Sequence, residues 1–113
     1  MPQCPIAGDA TAARYTRVLK YDSRMGGCYA AWHWQYHHAE RMINKLASTF
    51  QVQRHVQCMA NCSVSPVCDS YNYRPTDNTC ELNTHDTPMV ANSADMVSDS
   101  AWTWGRPIFC NVV

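Results

Sequence analysis

The segment Cys58-Met-Ala-Asn-Cys62-Ser-Val-Ser-Pro-Val-Cys68 decides how the rest of this chain is interpreted. Cys58 and Cys62 are four residues apart, so they would share one face of a helix. This spacing predicts a helix over residues 55–62. The helix should end at Ser65-Pro66, because proline cannot continue a helix.

Short strands are predicted on both sides of this helix. Residues 68–73 alternate as a strand, residues 74–78 form a turn and residues 79–82 return, which together predict an antiparallel hairpin. Residues 42–50 indicate another short strand, and the polar stretch 83–99 indicates a loop. The predicted fold class is α+β, with one short helix packed on a small antiparallel sheet.

An aromatic strand is predicted to start at Cys28. From there to Tyr36 every second residue is apolar, which predicts one buried face. Two interpretations of the aromatic residues remain open, a core under the helix and an exposed platform on which a glycan ring could stack, and the buried position expected for Cys28 favours the core. The residues concerned are Trp32, Trp34, Tyr36, Trp102 and Trp104.

Composition restricts the function. The formal net charge is zero and 16% of residues are charged, so nothing favours a nucleic-acid partner. No apolar run approaches the roughly 20 residues of a membrane span. Seven cysteines in 113 residues are typical of a disulfide-stabilised extracellular domain, and we expect a secreted chain whose leader has been removed.

Neither metal binding nor catalysis is predicted. On a strand His33 and His37 would lie about 13 Å apart, which is too far to bind one metal ion. No metal site is therefore predicted at His33, His37 or His38. A zinc set from His55 and the three following cysteines would leave Cys80 and Cys110 unexplained. No nucleophile or phosphate-loop motif is present, so no enzyme and no cofactor are expected. The carboxylates are interpreted as solvated surface charges: Asp69, Asp77, Glu81, Asp86, Asp95 and Asp99.

Several landmarks together resemble the PAN/apple domain family. They are the C-x3-C helix with a third cysteine, the strand Ser70-Tyr-Asn-Tyr73, the run Cys80-Glu-Leu-Asn83, and Trp102-Thr-Trp-Gly105 before Cys110. The resemblance covers residues 28–110 and places a PAN/apple-like domain at residues 28–113. Residues 1–27 are interpreted as an N-terminal extension that could act as an assembly arm. The extension carries a predicted strand over residues 15–21 and a turn over residues 22–27.

The resemblance implies three disulfides, Cys58–Cys80, Cys62–Cys68 and Cys28–Cys110. Cys4 competes with Cys28 for Cys110, and Cys28 is preferred because it begins the aromatic strand, where the family places its first cysteine. Cys4 is then the odd cysteine, and we expect it to form an intermolecular bridge or to lie in an interface between copies.

The resemblance further implies a recognition module for proteins or glycans. The expected function is therefore secreted, non-catalytic recognition or adhesion through protein–protein contacts, with self-association into a homo-oligomer. The alternative is a lectin-like module that binds glycans through its exposed aromatic residues.

Overall fold

The computed structural model of this protein describes residues 19–24 and 26–111. One α-helix and a six-stranded antiparallel sheet form this part of the chain. The strand order across the sheet is β1-β2-β6-β4-β5-β3, so β1 and β3 are its two edges. The elements in chain order are β1 (Leu19–Asp22), β2 (Gly27–Met42), β3 (Leu46–Gln51), α1 (His55–Val64), β4 (Ser70–Arg74), β5 (Thr79–Asn83) and β6 (Met96–Asn111).

The predicted α+β fold class is confirmed. The helix is two residues longer than predicted and is followed by Ser65, whose extended backbone carries the chain into Pro66. The hairpin of β4 and β5 pairs Tyr71 with Leu82 and Tyr73 with Cys80. Asn78, in the turn of this hairpin, has a φ of 58°, a conformation that asparagine tolerates better than most residues.

Two predicted boundaries are wrong. β6 starts at Met96, inside the stretch predicted as a loop, because Met42 at the end of the long strand β2 pairs with it. The strand predicted over residues 42–50 starts only at Leu46, because Asn44 takes a φ of 64° and turns the chain between β2 and β3.

The long strands β2 and β6 are not regular throughout. Their register shifts between Ala31 and His33 and again between His38 and Glu40, where Ala39 has a φ of 62°. A bulge places two residues opposite one and bends the strand. The unbroken alternation predicted from Cys28 onward is therefore wrong, since the first shift interrupts it.

Part of the predicted extension belongs to the sheet. Residues 19–22 form β1, which pairs with β2 through Leu19–Ala30 and Tyr21–Cys28. The first residues of the strand predicted over residues 15–21 lie outside the described part of the chain, as does the rest of the assembly arm before it.

The two faces of the sheet are chemically different. Cross-strand neighbours share a face, so the pairing defines two rows of side chains. The row on the helix side is Tyr36, Gly105, Tyr71 and Leu82, and the row on the opposite side is His37, Trp104, Asn72 and Glu81.

The core on the helix side is apolar and covalently linked. The Cys58–Cys80 disulfide joins α1 to β5 with a Cα–Cα distance of 5.5 Å, and Cys62–Cys68 joins α1 to the chain before β4 at 5.1 Å. All four cysteines are fully buried, beside Tyr71. A ten-residue helix is only marginally stable alone, so these bridges hold it on the sheet.

Candidate functional site

The most distinctive exposed region consists of β3 and the outward side of α1. Residues 46–68 contain one formally charged side chain, that of Arg54. Every residue of β3 except Phe50 is exposed, and α1 presents apolar side chains at i, i+4 and i+8. We call this region the uncharged surface; its exposed apolar residues are Leu46, Val56, Ala60, Val64 and Val67.

These apolar residues are unusually accessible. Val56 is 56% exposed, Val64 50% and Val67 49%, and Leu46 at the start of β3 is 54% exposed. A helix that packs against a sheet ordinarily turns charged residues towards water. Here the outward side of α1 has none, which is typical of the central part of a protein interface.

A groove lies between the edge of the sheet and the helix, within the uncharged surface. Its volume is about 700 Å³ and it opens to solvent. Phe50, which forms one wall, also packs against the disulfide core and therefore has a fixed position. The lining side chains are all neutral: Phe50, Gln51, Val52, Gln53, Gln57, Ala60 and Asn61.

His55 fixes the start of α1 against the sheet. Its ring stacks on Tyr73 at 4.8 Å with an interplanar angle of 4°, and its Nε2 lies 2.7 Å from the hydroxyl of Tyr71. Burial lowers the pKa of His55, and the neighbouring His38 lowers it further. His55 is therefore neutral at physiological pH and adds no charge to the uncharged surface.

A second, smaller cavity lies on the opposite face of the sheet. It has a volume of about 370 Å³, and we call it the Trp104 cleft. In its wall His37 Nδ1 lies 3.4 Å from Glu40 Oε1, and Arg106 Nε donates to Gln35 Oε1 at 2.9 Å. The complete lining is Gln35, His37, Glu40, Ala91, Ser93, Met96, Trp104 and Arg106.

The five aromatic residues of the predicted platform do not form one surface. Trp102 is 4% exposed and Trp104 is 2% exposed, so both are buried, as the favoured interpretation expected, and the alternative of an exposed platform is wrong for both. The guanidinium groups of Arg41 and Arg74 lie 4.2 and 4.7 Å from the ring centre of Trp102, and they cover it.

The other aromatic residues of that set lie on the helix side. Trp34 packs on the core and meets Tyr71 edge to face at 6.0 Å. Tyr36 is 43% exposed, and the centre of its ring lies 5.7 Å from the centre of the His55 ring, in an edge-to-face arrangement. The side chain of Trp32 lies outside the described part of the structure.

The predicted cysteine pairs are only partly within the described structure. Cys58–Cys80 and Cys62–Cys68 are present, as the family resemblance implied. The backbone of Cys110 pairs with Ala30, but the side chains of Cys28 and Cys110 are outside the described part, and so is Cys4. The choice between Cys4 and Cys28 as the partner of Cys110 stays a prediction.

Two carboxylates that were interpreted as solvated are buried, so that prediction is wrong for Asp69 and Glu81. Asp69 is 5% exposed and accepts two hydrogen bonds from Arg24, at 2.7 and 2.9 Å. Glu81 is 8% exposed and accepts two from Arg41, at 2.7 and 3.0 Å. Buried charges persist when they are paired in this way.

Sequence reasoning missed the polar network around these ion pairs. Asn72 donates to Glu81 Oε1 and to the backbone oxygen of Met42, and it accepts from the backbone nitrogen of Met42. The one signal in the sequence was the position of Glu81 between Cys80 and Leu82, inside a predicted strand.

Ser70, His85 and Asp69 lie together but do not form a catalytic triad. Ser70 Oγ is 2.7 Å from His85 Nε2, but Asp69 accepts from the backbone nitrogen of His85 rather than from its ring. In a triad the carboxylate orients the imidazole through Nδ1. Ser70 is also fully buried, and burial lowers the pKa of His85, so the group is part of the packed structure.

The histidines of β2 do not converge. His37 pairs with Trp104 on one face, while His38 Nδ1 lies 3.1 Å from Thr103 Oγ1 on the other. The side chain of His33 is outside the described part. Within residues 19–24 and 26–111 no cluster of three metal-ligating side chains is found. No helix in the same ranges has the length and apolarity needed to cross a bilayer.

A comparison with known protein families identifies the family of this domain. The family model of the PAN domain matches residues 20–105, which include the helix, the hairpin and both described disulfides. The chain belongs to the PAN domain family. The match begins in β1, whereas the predicted domain begins at residue 28, and that boundary stays a prediction.

Members of this family share several general functional properties. PAN domains take part in protein–protein or protein–carbohydrate interactions, are typically non-catalytic and are typically extracellular, which suits a domain with buried disulfides. Searches of curated proteins and of solved structures found no match to this chain.

Proposed function

We propose that this PAN domain is a secreted, non-catalytic recognition module that binds proteins, its own copies included, through the uncharged surface. The observation that carries the proposal is the combination of one charged side chain in residues 46–68 with three valines of α1 and its following turn that are about half exposed. Interface centres are depleted of charge in the same way.

The proposal separates this surface from the rest of the exposed sequence. The chain has nine basic and nine acidic side chains, and all of them except Arg54 lie outside residues 46–68. A neutral surface of this kind can meet a second copy without like-charge repulsion, which would otherwise oppose self-association.

Sedimentation velocity on a concentration series of the whole chain tests the proposal. We expect concentration-dependent self-association that Val56→Asp/Val64→Asp weakens at least tenfold, because two carboxylates would have to be desolvated in the contact. The control Met89→Asp/Val90→Asp changes two exposed apolar residues outside the uncharged surface and should leave the association unchanged. A wild-type chain that stays monomeric, or equal effects of both variants, would contradict the proposal.

A second candidate function is glycan binding in the Trp104 cleft. Its walls contain Glu40, which can accept hydrogen bonds, and Arg106, which can donate them. Gln35 and Ser93 can do both. Sugar hydroxyls both donate and accept, and a cavity of about 370 Å³ suits a small ligand. This candidate replaces the open aromatic platform by a partly open cleft whose lining is largely apolar, with polar groups in its walls.

A glycan array followed by titration of the best-binding sugar tests this candidate. Glu40→Gln should weaken binding about 10- to 100-fold, since hydrogen bonds to charged groups contribute about 1.5–3 kcal/mol. Asp77→Asn, which changes an exposed carboxylate in the hairpin turn, serves as the control. Absence of binding to every sugar on the array would reject the candidate.

A further inference from the structure

The outer edge of β3 is an unpaired strand edge. β3 is bonded to β5 on one side, and no strand of the described ranges pairs with its other side. Proteins commonly protect an exposed edge with charged residues or proline, and β3 contains neither. Among the residues that the structure describes, this edge is therefore open to strand addition.

The direction of the backbone groups along β3 follows from the adjoining hydrogen bonds. The N–H of Val52 donates to Asn78 O at 3.0 Å, towards β5. In an antiparallel ladder, successive residues direct their N–H and C=O groups to opposite sides. Phe50 therefore bonds towards β5, while Thr49 and Gln51 direct their backbone donors and acceptors outwards.

We infer that β3 binds β3 of a second copy in antiparallel orientation, which joins the two six-stranded sheets edge to edge. With Phe50 at the two-fold axis, Thr49 of one copy lies opposite Gln51 of the other. Their outward N–H and C=O groups, which no described strand uses, then exchange hydrogen bonds between the two copies. This inference rests on the proposed self-association and names the contact that produces it.

The side chains near the axis support a second copy as the occupant. On the helix side, an added strand would direct alternate residues into the groove beside β3, and at the axis these residues are the two Phe50 side chains. No residue of β3 carries a formal charge, so the paired strands oppose no like charges. The groove walls contributed by α1 are neutral in both copies.

The experiment combines a proline substitution with hydrogen exchange in a Cys4→Ser background, which removes any covalent dimer through that residue. Thr49→Pro deletes an outward N–H that the ladder with β5 does not use, so the fold should persist, since edge strands tolerate proline. We expect the dimer to be weakened at least tenfold by sedimentation, whereas the control Thr49→Val should leave the dimer unchanged. In the same Cys4→Ser background with Thr49 unchanged, the amides of Thr49 and Gln51 should become protected as the concentration rises.

The outcomes separate the inference from the function on which it rests. A dimer in which the amides of Thr49 and Gln51 exchange freely, or one that Thr49→Pro leaves intact, overturns strand pairing but keeps self-association. Protection of these amides at every concentration overturns it as well, because a segment of the same chain would then cover the edge. A chain that is monomeric throughout overturns both proposals.

Discussion

The double substitution Cys58→Ala/Cys80→Ala is expected to lower the free energy of unfolding by about 3 kcal/mol. The bridge closes a loop with a sequence separation of 22 residues, and in the chain-entropy model a loop of this length contributes about 3–3.5 kcal/mol. Small domains are stable by about 5–15 kcal/mol in total, so this loss takes a large share. Urea denaturation followed by tryptophan fluorescence measures it.

The second bridge supplies a matched comparison. Cys62→Ala/Cys68→Ala removes two equally buried sulfur atoms, but the sequence separation is 6, for which the same model gives about 2.4 kcal/mol. The first pair should therefore lower the urea midpoint more than the second. An equal or reversed order would show that packing of the sulfur atoms, rather than loop closure, determines the contribution of each bridge.

Gly105→Ala is expected to destabilise the domain by about 2–3 kcal/mol, the upper part of the range for overpacked cores. A Cβ at Gly105 would come within 3 Å of the ring and hydroxyl of Tyr71. Tyr71 cannot move aside easily, because it is fully buried, contacts Trp34 and lies 2.7 Å from His55 Nε2. The change in melting temperature and in urea midpoint would both report the loss.

Two comparisons identify the cause of that loss. Gly26→Ala places a Cβ in open space at a φ of 68°, so it should cost about 1 kcal/mol from backbone strain alone. In a Tyr71→Leu background the obstructing ring is absent, and Gly105→Ala should then cost much less. A cost that is independent of the residue at position 71 would disprove the steric explanation.

Local signals made the helix and hairpin predictable. The spacing of Cys58 and Cys62, the proline after the helix and the turn residues around Asn78 each act within a few residues, so the sequence contains them in full. The family match was also accessible from the sequence, because it depends on landmarks whose spacing can be counted.

The placement of side chains across the sheet was not predictable in the same way. The bulges near Trp32 and Ala39 change the register of β2, and no residue type near them indicates a bulge in the sequence. The burial of Trp102 depends on Arg41 and Arg74, which come from two other strands. Likewise, the partner of Asp69 is Arg24, 45 residues away.

The uncharged surface was predictable only in part from the sequence. The scarcity of charge in residues 46–68 is visible in the sequence, yet such a stretch is equally typical of a buried segment. Only the exposure of Val56, Val64 and β3 distinguishes the two cases. The Trp104 cleft had no sequence signal, because its lining comes from β2, β6 and the loop between β5 and β6.

The two sheet faces are stabilised by different chemistry, so a reductant and an acid act first on different parts of the domain. A reductant acts on the helix side, where both described disulfides lie, and leaves the Arg24–Asp69 and Arg41–Glu81 pairs intact. Acid instead adds a proton to His85, whose pKa is lowered by burial, and does not break a sulfur–sulfur bond. Because a small domain unfolds as one unit, either loss is subtracted from the same free energy of unfolding.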